Sequence, residues 1–432
     1  MLIAKFRRIA FWIFDWICGG EIRKHYLDTV RIISSGNNNS TQLSKLLHHA
    51  VSTTSFYSCY DPNDFSSFPV LNKNELKSRI DEISSQCFID DRLYETSTSG
   101  STGIPLRIKW NPQKRARQQA ELVYFYERAN HPLGERFVFF RENQNKRTRS
   151  KLQQFLRGMY DYDVTSFNDD DLDKVYHTLT RWPFVRCYIA YGSFHEAFTK
   201  YLRTKNPPIS SFRLKSIVTS SEVLSNELKT ELYERTGAEV YDRYSNEENG
   251  FIAQTENCSD VFWVNTAGFK LEVLKIDSDA PAEIGEIGRI VITDLYNFAV
   301  PLIRYDTGDL TTKIEERNGW TTKIRIIHGR VSDVIYDTKG ARMTTSVWNA
   351  YMGDFINIKQ YQFIQQGPRE YTLRVNVYPG IYTDQQFVDA IKKAVGNDAN
   401  ILIEHVNEVP VLSSGKFKKT ICNYTYSAND YI

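Results

Sequence analysis

The sequence predicts an α/β protein: a large N-terminal domain of helix-flanked sheets with a strand-rich subdomain, followed by a small α+β C-terminal domain. Three observations lead there. Short apolar runs at residues 137–140, 187–190 and 217–219 alternate with helical stretches, which is how strands buried on both faces read. Between Val218 and Val240 one strand–helix–strand unit is spelled out. Ser225 is placed to cap a helix carrying Leu228 and Leu232 on one face, Gly237 to end it in the left-handed conformation, and Glu239-Val240-Tyr241 to resume an extended run. Finally, 432 residues with 41% hydrophobic and 25% charged composition provide core for two or three compact units and exclude a disordered chain.

The remaining elements follow in order. Residues 43–51 (LSKLLHHAV) read as helix, and Phe68-Pro-Val-Leu71 as an extended stretch entering another helix at Asn72. The Ser/Asn cluster at residues 35–41 reads as a loop. Further on, residues 270–276, 289–293 and 303–305 have strand character with Gly, Asp and Pro between them, the basis of the strand-rich subdomain. The last hundred residues change texture. Residues 361–364, 371–377 and 401–406 read as strands, and Thr383-x-x-Gln386 as a capping box opening a helix with Phe387, Ile391 and Val395 on one stripe before Gly396.

Charge and cysteine usage narrow the function. Lys and Arg total 54 against 52 Asp and Glu, a net charge of +2, too balanced for a dedicated nucleic-acid binder. Six scattered cysteines form no C-x-x-C pair, which argues for reduced thiols and a cytoplasmic setting rather than a zinc ribbon or disulfide framework. The first 24 residues stand apart. Phe6, Ile9, Phe11, Trp12, Ile13, Phe14, Trp16 and Ile17 form an apolar block flanked by Lys5, Arg7, Arg8, Arg23 and Lys24 and interrupted by Asp15. It is too short to span a bilayer and has no small-x-small cleavage pattern before Gly19-Gly20. Two accounts remain open: an interfacial helix in peripheral contact with the inner face of the membrane, or a helix packed on the protein's own body.

The segment Thr98-Ser99-Gly100-Ser101-Thr102-Gly103-Ile104-Pro105 concentrates hydroxyls and glycines in a loop whose backbone N–H groups can converge on one anion, as a polyphosphate requires. It lacks the Gly-Lys-Ser/Thr ending of a Walker loop. A solvated turn has the same composition. Four segments follow in a particular order: Tyr244-Ser-Asn-Glu-Glu248, Tyr305-Asp-Thr-Gly-Asp309, Gly329-Arg-Val-Ser-Asp333 and Ser414-Gly-Lys416. Together with the loop they resemble the core motifs of the adenylate-forming superfamily of acyl-CoA synthetases, adenylation domains and luciferases. The closer resemblance, carried also by Leu43-x-x-Leu-Leu-His-His-Ala50, Phe68-Pro-Val-Leu-Asn-Lys73 and the hydrophobic leader, is to the phenylacetate-CoA ligase and CapK-like branch associated with capsular polysaccharide biosynthesis. It spans nearly the whole chain. Departures are Ser245 in place of the usual glycine after the tyrosine, Leu106 where many relatives carry a lysine, and Ser332 at a hinge position usually held by Asp or Lys.

The resemblance implies a ligase that uses ATP and Mg²⁺ to activate a carboxylic acid as an acyl-adenylate, then passes the acyl group to coenzyme A or to an amine or hydroxyl of a saccharide. It implies ATP contacts from Thr98 to Gly103, Ser221, Glu222, Asp242, Arg243, Tyr244, Asp309 (ribose hydroxyls) and Arg330. Glu248 would hold the metal, a role that suits a hard carboxylate oxygen. Lys416 would stabilise charge developing on the α-phosphate. Tyr188, Tyr191, Gly192 and Ser193 would line the acid's pocket. Division into residues 1–24, 25–331 and 332–432, with the mobile last domain rotating near Ser332, completes that expectation. Each residue also has a plainer reading: Glu248 as one of a surface Glu-Glu pair, Asp309 as part of an Asx turn, Lys416 as part of a solvated basic stretch with Lys418 and Lys419, Tyr188 as core. His195 and His48-His49 have no partners at ligand spacing and read as structural. No Gly-x-Ser-x-Gly elbow points to a hydrolase. A non-catalytic, membrane-associated assembly factor retaining the fold is the alternative from another class.

Overall fold

The computed structural model describes residues 2–88, 92–97, 106–141, 154–155, 158–163, 169–182, 185–220, 223–330, 335–343, 352, 355, 358–378, 380–409 and 420–424. The described residues up to 307, with 312–326, make one compact unit, and residues 308–311 with the described residues from 327 onward a second.

The first unit is organised by an eleven-stranded sheet whose two halves differ in kind. From one edge inward, Met159–Asp163, Arg136–Arg141, Val185–Tyr191, Ser216–Ser220 and Glu239–Asn246 run parallel. Alternate residues explain why these strands are almost continuously apolar. Val138, Tyr188, Ala190, Ile217 and Val240 face Phe194, Phe198, Leu202 and Leu232 on one side, while Phe137, Cys187, Ile189, Val218 and Tyr241 face Ala129 on the other. With no side left to water, alternation disappears. The strand–helix–strand unit is as read: the helix Asn226–Thr236 is capped by the Ser225 hydroxyl, which accepts from Leu228 N at 3.2 Å, and closed by Gly237 at φ 71°.

After Glu239–Asn246 the chain reverses and the sheet turns antiparallel, through Gly250–Thr255 and Val261–Val264, then Trp320–Arg330, Tyr305–Arg317, Ile287–Asp294 and Phe269–Leu274. The strands of the expected strand-rich subdomain extend the same sheet, because the hairpin at residues 246–250 lets a parallel edge be continued without a crossover. Two readings are corrected. Ile303 precedes its strand, which begins at Tyr305 after Arg304 at φ 50°. Arg304 is held there by Glu272 at 3.2 Å and by the carbonyl of Phe68 at 3.0 Å. Tyr305-Asp-Thr-Gly-Asp309, taken as a turn, lies within the strand Tyr305–Arg317, with Gly308 at φ 74°.

Two buried cations of the first unit are paired with carboxylates. Arg117, on the helix Pro112–Arg128, reaches Asp28 and Glu121, each at 2.8 Å, and lies 4.3 Å over the Tyr296 ring. Lys114 on the same helix reaches Asp294 at 2.6 Å. Such pairs fix a helix against its surroundings, because either partner left alone would be costly.

The second unit has a four-stranded sheet in the order Asn400–His405, Glu370–Val377, Ile358–Gln365, Thr420–Cys422, with the central pair antiparallel and both outer strands parallel to their neighbours. The helix Asp384–Val395 covers it with Phe387, Ile391 and Val395, all buried. Its capping box is present: Thr383 N donates to Gln386 Oε1 at 2.8 Å. Gly396 ends it at φ 123°, where a Cβ would lie 2.0 Å from Thr338 Oγ1, so both backbone and space demand glycine.

Candidate functional site

Open parallel sheets bind ligands beyond the carboxyl ends of their strands, and several expected residues are gathered there. Tyr191 pairs in register with Ser220, and Thr219 with Asp242, so the ends of Val185–Tyr191, Ser216–Ser220 and Glu239–Asn246 form one edge. Gly192 and Ser193 open the helix Gly192–Lys205 directly after Tyr191. Arg243 stacks 4.5 Å over Tyr126 and donates to its hydroxyl at 3.2 Å. Tyr244 is buried and its hydroxyl donates to Thr307 Oγ1 at 3.4 Å.

Glu248 sits where the sheet changes direction. The Asn246 side chain accepts from Asn249 N at 2.8 Å, tying the turn. Gly250 leaves it at φ 89°, with space for a Cβ limited by Gln118 Nε2 at 3.1 Å. This turn puts the Glu248 side chain inside, 5% exposed, and does not leave it on the surface as one of a Glu-Glu pair. Glu248 Oε1 accepts from the Tyr305 hydroxyl at 3.1 Å and from Lys73 Nζ at 3.2 Å, and the Glu248 carbonyl accepts from Trp110 Nε1 at 3.1 Å. Next to it, Lys114 Nζ donates to the Asn249 carbonyl at 2.7 Å.

Lys73 and Tyr305 meet because two distant segments pair. Leu71 N donates to the Arg304 carbonyl at 3.1 Å and Asp306 N to the Leu71 carbonyl at 2.9 Å, a parallel bridge between Leu71 and Tyr305. Asn72 then caps the helix Lys73–Ser78 in a capping box with Glu75, which starts the helix at Lys73. The result is a buried carboxylate facing a phenol and an ammonium that is 34% exposed. Such a carboxylate can hold a hard cation, with a mobile positive charge beside it for a phosphate. No local signal gives Lys73 or Tyr305 a role, although they lie in the motifs Phe68-Pro-Val-Leu-Asn-Lys73 and Tyr305-Asp-Thr-Gly-Asp309.

Other expected residues have different surroundings. Asp242 is buried in an ion pair with Lys229 at 2.5 Å, and burial pushes its carboxyl upward in pKa against that partner's pull. Tyr188 is fully buried among Phe140, Phe194 and Phe198, with its hydroxyl 3.4 Å from His195 Nδ1. Burial lowers His195 to about 3, so that ring is neutral and structural. Asp309 is half-buried on the strand Tyr305–Arg317, and Arg330 ends the strand Trp320–Arg330. Thr98 to Gly103, Ser221, Glu222, Ser332 and Lys416 lie outside the described residues.

Over 90% of its length the chain superposes on 89% of 2-hydroxyisobutyryl-CoA ligase, solved in the postadenylation state with 2-HIB-AMP, at a TM-score of 0.66 and 16% identity. ATP-bound MatB from Rhodopseudomonas palustris matches 76% of the chain with 65% of its own, at a TM-score of 0.55 and 16% identity. The fold is that of the adenylate-forming ligases. In sequence, residues 335–423 match the CapK C-terminal domain family, and Protein CapK of Staphylococcus aureus is 22% identical over 380 residues, covering 83% of this chain and 80% of that protein. The resemblance read from the motifs is thus borne out from two directions.

Proposed function

We propose that this chain is an ATP-dependent ligase that activates a carboxylic acid as an acyl-adenylate and transfers the acyl group to coenzyme A or to an amine or hydroxyl of a saccharide, in capsular or surface polysaccharide biosynthesis. The observation that carries the reading is Glu248, buried at the carboxyl edge of the sheet with Lys73 and Tyr305 on one of its oxygens, in a fold shared with ligases. The CapK similarity supports the polysaccharide setting and a phenylacetate-CoA ligase-like chemistry. The enzyme works in the cytoplasm, in peripheral contact with the inner face of the membrane, and without nucleic acid.

In this mechanism Glu248 would hold Mg²⁺, which would supply neutralisation of the ATP phosphates; one carboxylate suits an ion that takes few protein ligands. Tyr305 orients that carboxylate through its hydroxyl. Lys73 moves from Glu248 onto a phosphate oxygen as nucleotide enters. The Thr98 to Gly103 loop gathers the phosphates, Asp309 accepts the ribose hydroxyls and Arg330 contacts the nucleotide. An oxygen of the substrate carboxylate then attacks the α-phosphorus, pyrophosphate leaves, and the Lys416 ammonium stabilises the developing charge. Rotation of the C-terminal domain near Ser332 withdraws Lys416 and admits the acceptor.

Acid-dependent exchange of pyrophosphate into ATP, run over a panel including aryl acids, amino acids and sugar acids, tests the reading. One acid class is expected to give Mg²⁺-dependent exchange above the Lys416→Ala background. No signal from any acid would favour a non-catalytic assembly factor. Product mass spectrometry with coenzyme A then separates thioester from amide or ester. Within the same assay, Lys73→Ala is expected to raise the KM for ATP about tenfold, the loss of one charge-assisted hydrogen bond, with the exchange rate at saturating ATP changed less.

A further inference from the structure

The helix Leu2–Ile17 is turned inside out. Arg7 and Asp15 are buried, while Leu2, Phe6, Ile9, Ile13, Trp16 and Ile17 are 52–84% exposed. At 100° per residue these six positions sweep about 100°, and Ile3 and Phe14, exposed as well, widen the apolar arc to about 160°, wider than the a/d seam of a coiled coil. Both inward polar residues make contacts that set this orientation. Asp15 accepts from Ile22 N at 3.1 Å and Arg23 N at 2.9 Å, capping the start of the next helix, Glu21–Ser35. The Arg7 guanidinium lies 4.7 Å over the Phe155 ring. Gly134 lets the helix backbone come close: a Cβ there would sit 2.3 Å from the Ala4 carbonyl.

Charge says what covers this face. Residues 1–31 carry six Lys or Arg against three Asp or Glu, in a chain whose total is only +2. Lys5 and Arg8 flank the apolar arc, and Arg23 and Lys24 follow it, all exposed. A second copy docking through this face would bring like charges together, whereas anionic headgroups would meet them favourably. Sixteen residues rise only ~24 Å, short of a hydrocarbon core, and no helix among the described residues is long and apolar enough to cross a membrane.

We propose that this helix lies flat on an anionic lipid bilayer, its apolar arc sunk to the boundary between headgroups and acyl chains, with Asp15 and Arg7 latching it to the body on the aqueous side. This deepens the peripheral contact proposed above and is independent of the adenylation chemistry, which exchange assays without vesicles report separately. Flotation of the full chain with phosphatidylcholine vesicles, with and without 30% phosphatidylglycerol, tests it. Several-fold more protein is expected to float with the anionic vesicles, the excess falling at 0.5 M salt, and the double variant Phe6→Glu/Ile13→Glu should stay at the bottom while melting like the parent. Failure to float on anionic vesicles would overturn the proposal. So would a double variant that floats undiminished, or a dimer in sedimentation that the variant dissociates while vesicles leave the parent unbound. The salt and lipid comparison uses the unaltered chain, so a misfolded variant does not decide the outcome.

Discussion

Replacing Glu248 with alanine is expected to lower acid-dependent pyrophosphate exchange by roughly 10²–10³-fold, the scale on which removal of one preorganised electrostatic group acts. The carboxylate is 5% exposed and sits among residues that only the folded chain brings together: Lys73 lies 175 positions away in sequence and Tyr305 lies 57 away. With the carboxylate gone, Tyr305 and Lys73 lose their shared acceptor. Lys73 is exposed enough to regain water, so stability should change less than activity. Glu248→Gln separates two explanations. Glutamine keeps an oxygen for the Tyr305 hydroxyl but carries no charge, so a metal-holding role predicts the same loss for both variants. A role confined to orienting Tyr305 predicts near-normal exchange in the glutamine variant. Raising Mg²⁺ concentration should recover part of the activity only in the first case.

Lys114→Met is expected to destabilise the first unit by about 3–5 kcal/mol, the penalty for stranding one member of a buried ion pair. Lys114 and Asp294 are 1% and 0% exposed and 2.6 Å apart. Methionine fills similar volume, so the loss would come from Asp294, left without its counter-charge. A denaturant midpoint measured on the intact chain reads this directly; a shift worth under 1 kcal/mol would mean that Asp294 finds another partner. The double variant Lys114→Met/Asp294→Leu should regain only part, because Asp294 Oδ1 also accepts from Tyr296 N at 3.1 Å. Lys114 further holds the Asn249 carbonyl, beside Glu248, so residual exchange in Lys114→Met should show a raised requirement for Mg²⁺.

Much of this was legible in the residues because it is local. Ser225 and Gly237 mark the ends of their helix by their own capping chemistry, and Thr383 with Gln386 does so for the last helix. The parallel strands could be read from runs such as Cys187-Tyr-Ile-Ala190, since burial on both faces leaves no polar position. The run at Pro301 to Asp309 misled: Pro, Gly and Asp suggested punctuation, yet the segment from Tyr305 is strand, held by neighbours on the sheet that no local signal names. Likewise, the continuity of the antiparallel strands with the parallel ones depends on a single reversal at residues 246–250.

By itself, then, the amino-acid order determined the elements and the order of the motifs, because periodicity, caps and motif spacing act over a few residues. Tertiary structure alone decided which of those residues share a site. Lys73 joins Glu248 only because Leu71 bridges to Tyr305, a pairing between segments more than two hundred positions apart. It also decided the leader. Periodicity shows that Leu2–Ile17 has an apolar and a polar face but not which one meets the body. Here Asp15 and Arg7 find partners inward, and the apolar face is left outward.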